Sequence, residues 1–232
     1  MNSDEYTRTI YSIAHDLSAP LRGLDGFSTI LLETYQDQLD EQGIKLLLIL
    51  KENAVKAQAM LNSIVSYSQI TSTTYPLVEI NLNQLIDQIL TKNNYFNHHY
   101  SNQPTPSLKI ANLPTIKGSD ELWDKLLSAL LDNAFKFQHK DKIPTIEVST
   151  TQEKNSWSLL IADNGIGIKE QNYDIVTRMF SRLHSEKEYP GDGMGLAYCQ
   201  QIINLYDGSI TFDQSALGGL LVTCTFPNRF LA

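Results

Sequence analysis

Two long amphipathic stretches fill the first seventy residues, and they constrain the fold of the chain more than any other feature. Over residues 4–35, apolar side chains recur at helical spacing, and residues 41–70 repeat the pattern. The short polar connection between them, residues 36–40, predicts an antiparallel helical hairpin. Because one hairpin cannot cover the apolar faces of both helices, we predict a homodimer whose two hairpins form a four-helix bundle.

The sequence IAHDLSAPLR, residues 13–22, places a histidine, a carboxylate and a proline inside the first predicted helix. His15 is two residues from both Ile13 and Leu17, so it lies off the apolar stripe and faces solvent or a partner. Pro20 removes a backbone hydrogen bond and kinks a helix, at about 3 kcal/mol without compensation. Taken alone, this segment indicates only a histidine on the helix surface and a helix kink without a functional role.

Residues 71–76 break the helical pattern, so we place a domain boundary there, with domains at residues 1–73 and 74–232. Beyond the boundary, short strands alternate with helices, which predicts an α+β fold with helices on one face of a mixed sheet. The predicted strands are residues 77–80, 108–110, 115–117, 146–151, 157–162, 209–213 and 220–226. The predicted helices are residues 81–95, 119–137 and 195–206, with a polar loop at residues 94–106.

Composition excludes several classes of protein. The net charge of −8 argues against binding to nucleic acid, whose phosphates require a basic surface. No run of eighteen apolar residues is present, so no segment is predicted to span a membrane. Cys199 and Cys224 match no zinc-site spacing, and we expect two buried free thiols in a reducing cytoplasm. We therefore predict a cytoplasmic chain, alone or as the cytoplasmic part of a longer protein.

Three separated segments of the second domain carry residues suited to binding a nucleotide. In the first, LLDNAFKF at residues 130–137, Asn133 and Lys136 share one face of a helix. An amide oxygen can ligate Mg²⁺, and an ammonium group can neutralise phosphate. By itself, such a pair is more often a solvated helix face.

The second segment, DNGIGI at residues 163–168, directly follows a predicted strand. Gly165 and Gly167 permit tight turns and the close approach of a ligand. Asp163, at the strand end, can accept a hydrogen bond from an exocyclic amine. The same residues also suit an ordinary turn, and this segment alone favours neither interpretation.

The third segment, GDGMGL at residues 191–196, begins a predicted helix. Its alternating glycines can cradle an anion with backbone N–H groups at the helix N-terminus. Polar residues 180–190 precede it and have the composition of a mobile lid. The segment follows no strand and lacks a Gly-Lys-Ser/Thr ending, so it is neither a dinucleotide-binding turn nor a P-loop. The lid contains the basic residues Arg182, His184 and Lys187.

The order of these segments resembles the ATP-binding domain of sensor histidine kinases, in a superfamily shared with type II topoisomerases, heat-shock chaperones and mismatch-repair ATPases. Upstream, His15-Asp16-Leu17 followed by Pro20-Leu21 resembles the dimerisation and phosphotransfer domain of these kinases. FSRLH at residues 180–184 and EYPG at residues 188–191 are similar to segments of phytochrome-like kinases. The resemblance covers nearly the whole chain and implies an α/β-sandwich ATP-binding domain after the hairpin.

The resemblance also implies a reaction: ATP-dependent autophosphorylation of His15, with Asp16 orienting or deprotonating the ring, and transfer of the phosphoryl group to an aspartate of a response regulator. The implied ligands are ATP and Mg²⁺. Asn133 would hold Mg²⁺ and Asp163 would bind adenine. The other implied nucleotide-binding residues are Lys136, Gly165, Gly167, Arg182, Gly191, Gly193, Gly195 and Leu196, with His184 as a further candidate for the phosphates.

Three positions depart from the family pattern. Ala129 stands where these kinases carry a second polar residue one turn before Asn133, and Asp192 stands where Thr or Ser is usual. A carboxylate beside a triphosphate repels it by about 1 kcal/mol for exposed charges about 4 Å apart, unless a cation offsets it. Ala19 stands where many relatives have the Thr or Asn that assists dephosphorylation of the regulator, so we expect weak phosphatase activity.

These departures keep a second hypothesis open, a degenerate kinase that dimerises and docks a regulator without using ATP. Against it stand His15, Asp16, Asn133, Asp163 and the glycines, which a scaffold does not require. An ATPase of the chaperone or mismatch-repair kind is disfavoured, because those relatives need a carboxylate base at the position of Ala129.

Overall fold

The computed structural model describes residues 3–93, Tyr95, residues 105–186 and residues 188–232. Backbone contacts divide the chain into two compact units, one ending at Thr73 and the other beginning at Thr74. The predicted loop at residues 94–106 lies largely outside the described residues, and so does Lys187 of the predicted lid.

The first unit is a hairpin of two long helices. Helix α1 spans Ser3–Tyr35, a 3₁₀ turn spans Gln36–Gln38, and helix α2 spans Glu41–Ser72. Asp40 caps α2, because its side chain accepts a hydrogen bond from the backbone N–H of Gly43 at 2.7 Å. Helix α1 continues through Pro20, so the proline does not end it.

The apolar stripe predicted for α1 separates into two faces. Ile10 and Leu21 are half-buried, and Ala14 between them is buried within the hairpin. A second set of apolar side chains, at successive spacings of four, seven, three and four residues, is 41% to 69% exposed. Its members are Ile13, Leu17, Leu24, Phe27 and Leu31.

The second unit has the predicted α+β fold. Its strands are β1 Val78–Asn81, β2 Ser107–Ile110, β3 Thr115–Gly118, β4 Thr145–Gln152, β5 Ser156–Asp163, β6 Ser209–Gln214 and β7 Leu220–Pro227. Its helices are α3 Leu82–Asn93, α4 Asp120–Lys136 and α5 Gly195–Leu205. Asn81 caps α3 as predicted, accepting the N–H of Gln84 at 3.1 Å, and Ser119 accepts the N–H of Leu122 at the start of α4.

A five-stranded mixed sheet in the order β2-β4-β5-β7-β6 organises this unit. β2 pairs in parallel with β4, and every other neighbouring pair in the sheet is antiparallel. β1 and β3 form a separate two-stranded sheet, which the sequence did not predict.

Aromatic side chains join the helical layer to the sheet. Trp123 of α4 lies 6.0 Å from Trp157 of β5 and 5.0 Å from Phe226 of β7, measured between ring centroids. All three side chains are at most 1% exposed. Cys199 and Cys224 are also buried and free, as predicted. The resulting sandwich holds the ends of α4, α5 and β5 around one cavity.

Candidate functional site

A cavity of about 320 Å³ lies between α4, the start of α5, the sheet and residues 181–193. It brings together four separate segments of the chain, residues 129–137, 161–168, 176–198 and 220–222. The predicted nucleotide-binding residues that line it are Asn133, Lys136, Asp163, Gly167, Arg182, Gly191, Gly193, Gly195 and Leu196, together with His184.

Asp163 forms one end of the cavity at the last position of β5, where it is 7% exposed. Its Oδ1 atom accepts the backbone N–H of Gly165 at 2.8 Å and that of Leu220 at 3.0 Å. Burial raises the pKa of this carboxyl, and the two N–H groups offset part of the rise. An ionised carboxylate only accepts hydrogen bonds, so this end of the cavity suits a ligand with an N–H donor.

Gly165 does not line the cavity but holds Asp163 in place. A Cβ atom at this position would collide with the backbone carbonyl oxygen of Phe137, at the end of α4. The same carbonyl accepts the N–H of Ile166 at 3.0 Å. Only glycine therefore allows the turn after β5 to pack this closely against α4.

The start of α5 forms the other end of the cavity. No side chain caps this helix, so the N–H groups of its first turn are available to an anion. In the loop before it, Gly193 has a φ of +74°, and a Cβ atom there would lie 2.7 Å from the carbonyl oxygen of Ser181. The glycine thus lets the loop contact the lid segment directly.

Two side chains of α4 face this anion-binding end. If Gly191 carried a Cβ atom, that atom would lie 2.6 Å from the Nζ atom of Lys136. A Cβ atom on Gly195 would lie 3.8 Å from the Nδ2 atom of Asn133. Burial lowers the pKa of Lys136, while the nearby carboxylates of Asp132 and Asp192 act in the opposite direction. An ammonium group therefore stands beside the glycine loop.

The methyl group of Ala129 lines the cavity one helical turn before Asn133 and supplies no polar atom there. Beyond it along α4, the ammonium group of Lys125 lies 3.9 Å from the ring centroid of Tyr198, which also lines the cavity.

The lid segment is held by its own side chains. Arg182 donates hydrogen bonds to the carbonyl oxygens of Gly191 at 2.6 Å and Tyr189 at 3.0 Å, and it pairs with Glu186 at 3.3 Å. Its guanidinium group thus binds the lid backbone while it lines the cavity, and its predicted contact with phosphate stays a prediction. The ring of His184, which also lines the cavity, packs against Phe137 and Tyr189 at centroid distances of 6.1 and 5.3 Å.

Sequence reasoning missed several residues of the site. Phe137 and Tyr189 lie 5.0 Å apart and fasten the lid to the end of α4, and Leu220 supplies an N–H to Asp163 from a distant strand. Each depends on a contact between segments far apart in the chain. The only signal in the sequence was the occurrence of both aromatic residues within the motifs already selected.

His15 and Asp16 lie on α1 in the other unit, with side chains 75% and 77% exposed. The Nδ1 atom of His15 lies 3.3 Å from Oδ1 of Asp16. An ionised carboxylate accepts hydrogen bonds, so this contact places the ring proton on Nδ1 and leaves the lone pair on Nε2. Pro20 has no N–H, so the carbonyl of Asp16 lacks its usual helical donor.

The described residues contain no group of three or more His, Cys, Asp or Glu side chains placed to hold a metal ion. A cation near Asn133 would therefore depend on oxygen atoms of the ligand for much of its coordination, as Mg²⁺ bound to phosphates does. Within the same residues, no helix has the length and apolar character needed to cross a membrane.

Residues 118–229 match the family described as histidine kinase-, DNA gyrase B- and HSP90-like ATPase. Over 227 residues, the chain is 28% identical to cyanobacterial phytochrome A of Nostoc sp. and 27% identical to the methanogenesis regulatory histidine kinase FilI of Methanothrix harundinacea. Each comparison covers 96% of this chain, but the chain spans only 28% and 25% of those relatives.

Two solved structures have the same fold. Full-length ShkA, solved in complex with AMPPNP, gives a TM-score of 0.66 at 16% identity, covering 97% of this chain and 46% of ShkA. The histidine kinase AdeS of Acinetobacter baumannii gives 0.58 at 20% identity, covering 92% and 97%. Residues 118–229 therefore form a domain of the histidine kinase-, DNA gyrase B- and HSP90-like ATPase type, in a chain whose curated relatives include histidine kinases and phytochromes.

Proposed function

We propose that this chain is the catalytic portion of a sensor histidine kinase, which phosphorylates its own His15 with ATP and passes the phosphoryl group to an aspartate of a response regulator. One observation carries the proposal: a buried carboxylate, an amide, an ammonium group and a glycine-rich helix start line a single cavity. The chain spans 28% and 25% of the two curated relatives named above, so the proposal concerns only the steps that its own residues can perform.

The cavity suits ATP along its length. Asp163 accepts a hydrogen bond from the adenine amine, and Gly165 and Gly167 shape the turn beside the base. Gly191, Gly193, Gly195 and Leu196 present backbone to the phosphates. Lys136 offsets their charge, and Arg182 holds the surrounding lid closed.

Mg²⁺ fits the same end of the cavity, because Asn133 offers an amide oxygen and the phosphates offer the others. When bound, it neutralises phosphate charge and orients the terminal phosphoryl group. Phosphoryl transfer depends mainly on such positioning and charge neutralisation, so the absence of a polar side chain at Ala129 reduces the rate without removing the reaction.

In the phosphotransfer step, the Nε2 lone pair of His15 attacks the γ-phosphorus atom. The bond between this phosphorus and the β,γ-bridging oxygen breaks, and its electron pair leaves with ADP. The ring gains positive charge as the N–P bond forms. Asp16, 3.3 Å from Nδ1, stabilises that charge and accepts the Nδ1 proton.

The homodimer belongs to the same proposal. The exposed stripe of α1 that includes Leu24 and Phe27 is too apolar to remain in water, and a second hairpin of the same kind would cover it. Each residue of an α-helix turns by about 100°, so His15 lies nearly opposite this stripe. Dimerisation would therefore leave His15 accessible to ATP and to the receiver domain of a regulator.

The test is incubation with γ-labelled ATP and Mg²⁺, comparing the wild type with His15→Gln and Asn133→Ala. We expect base-stable, acid-labile label on the wild type and none on either variant. His139→Gln, at a histidine outside the cavity, is the matched control and should be labelled normally. An unlabelled wild type that still dimerises would contradict the proposal and favour the non-enzymatic scaffold.

A further inference from the structure

The glycine loop before α5 carries a carboxylate at the place where a phosphate would bind. Asp192 lines the cavity, and its Oδ1 atom accepts the backbone N–H of Met194 at 3.0 Å. Met194 immediately precedes the first residue of α5, so this N–H belongs to the group of donors at the helix start. The side chain thus uses a donor that the loop would otherwise offer to an anion.

The same carboxylate stands beside the cation of the site. Lys136 contacts Gly191, the residue before Asp192, with its ammonium group 2.6 Å from where a Cβ atom would lie. Asp192 attracts this ammonium group, whereas Arg182 repels it. A carboxylate that binds a helix-start N–H and faces a lysine has the surroundings expected of a bound phosphate oxygen.

We propose that Asp192 is an internal competitor of the nucleotide phosphates, so that it lowers the affinity of the cavity for ATP and makes that affinity dependent on Mg²⁺. This inference rests on the proposed function, because it concerns the same cavity. A triphosphate must replace the Asp192 carboxylate at the Met194 N–H, and it must approach Lys136 within the field of that carboxylate. Mg²⁺ assists by reducing the repulsion between the carboxylate and the incoming phosphates.

The opposite role is also chemically available to a carboxylate here, namely direct ligation of Mg²⁺. The two roles predict opposite changes in nucleotide affinity when Asp192 is replaced. As a competitor, Asp192 weakens nucleotide binding, and its removal tightens binding most when Mg²⁺ is absent. As a ligand, it strengthens binding, and its removal weakens binding only when Mg²⁺ is present.

The test measures binding of ATP, ADP and adenosine by titration calorimetry, with and without Mg²⁺, for the wild type, Asp192→Asn and Asp192→Thr. Both variants keep an oxygen that can accept the Met194 N–H, and thermal denaturation verifies that they fold. We expect ATP and ADP to bind about threefold to tenfold more tightly to both variants, with the larger gain in the absence of Mg²⁺. Adenosine, which carries no phosphate, should bind all three proteins equally.

Glu188→Gln is the matched control, because it removes the same charge from an exposed position of the lid outside the cavity. It should leave all three affinities unchanged. Weaker or unchanged ATP binding by Asp192→Asn overturns the inference while the kinase assignment stands, provided that the wild type binds ATP. A wild type that binds neither ATP nor adenosine overturns the nucleotide site itself, and the inference falls with it.

Discussion

Among the described residues, the hairpin buries only small side chains and Ile70, whereas the α+β unit buries Trp123, Trp157 and Phe226 in one cluster. Many of the larger apolar side chains of the hairpin are exposed, and Phe27 is 69% exposed. Both regions have ordinary helical or strand periodicity in the sequence. They differ in whether one copy of the chain can cover the apolar face that the periodicity creates.

The two regions therefore have different roles in the proposed reaction: the α+β unit binds the nucleotide, and the hairpin dimerises and presents His15. A densely packed unit can hold a cavity of fixed shape, which a nucleotide site requires. We propose that the hairpin covers its exposed stripe by pairing with a second copy, which would leave its other face open for ATP and a regulator to reach His15. We therefore expect substitutions in the two regions to separate dimerisation from nucleotide binding.

The largest effect is expected from Phe27→Asp. A carboxylate placed in the centre of an apolar interface loses water without gaining a partner, so dimerisation should weaken on the order of 100-fold. Sedimentation velocity measures the change, and ATP affinity should not move. Arg22→Asp puts the same charge on the opposite side of α1 and should leave the dimer intact. A Phe27→Asp protein that remains dimeric would show that this stripe is not the interface.

Asp163→Asn should weaken ATP binding roughly 30-fold, because a charged hydrogen-bond acceptor is replaced by an amide. The free energy of unfolding of this variant should increase at neutral pH. Burial raises the folded-state pKa of Asp163, so its contribution to stability is present below the unfolded pKa of about 4 and is lost as pH rises through the folded pKa. The variant avoids that loss at pH 7.

Calorimetry measures the affinity, and denaturation between pH 4 and pH 8 measures the free energy of unfolding. The excess stability of Asp163→Asn should be largest near neutral pH and should disappear towards pH 4. The hairpin should dimerise normally in both proteins. A variant less stable than the wild type at pH 7 would contradict the assigned cost of burying this charge.

The smallest effect is expected at Ala19, where the hairpin lacks a side chain able to position water. The neighbouring Ser18 cannot substitute, because its hydroxyl donates to the carbonyl of Ala14 at 2.7 Å and accepts from Gln58 at 2.9 Å. Decay of a phosphorylated regulator, followed with ADP present, should be slow with the wild type and roughly tenfold faster with Ala19→Thr. Ala19→Val, similar in shape but without the hydroxyl, should stay slow. Rapid decay with the wild type would refute this expectation.

Much of the architecture could be predicted because it follows from local patterns. The helical spacing of residues 4–35 and the alternation in β4 and β5 are periodicities of neighbouring residues, and all three elements formed where expected. The pairing of β1 with β3 could not be predicted, since each strand is four residues long and gives almost no signal. The division of the α1 stripe into two faces required knowing where α2 lies.

The candidate site divides in the same way. The candidate nucleotide-binding residues could be predicted from the sequence, because the glycines, Asn133, Lys136 and Asp163 are recognisable by residue type and order. The assignment of Arg182 and His184 to the phosphates stays a prediction, and what the sequence did not foresee is that lid carbonyls bind Arg182 and aromatic rings pack against His184 in the folded chain.

The order of elements, the two-part organisation and the set of candidate nucleotide-binding groups follow from the amino-acid sequence. The three-dimensional fold establishes how those groups are used. It placed Leu220 against Asp163, fastened the lid through Phe137 and Tyr189, and set Asp192 against the donors of α5. The physical reason is that local periodicity depends on neighbouring residues, whereas hydrogen bonds and charge contacts depend on which distant segments share one cavity.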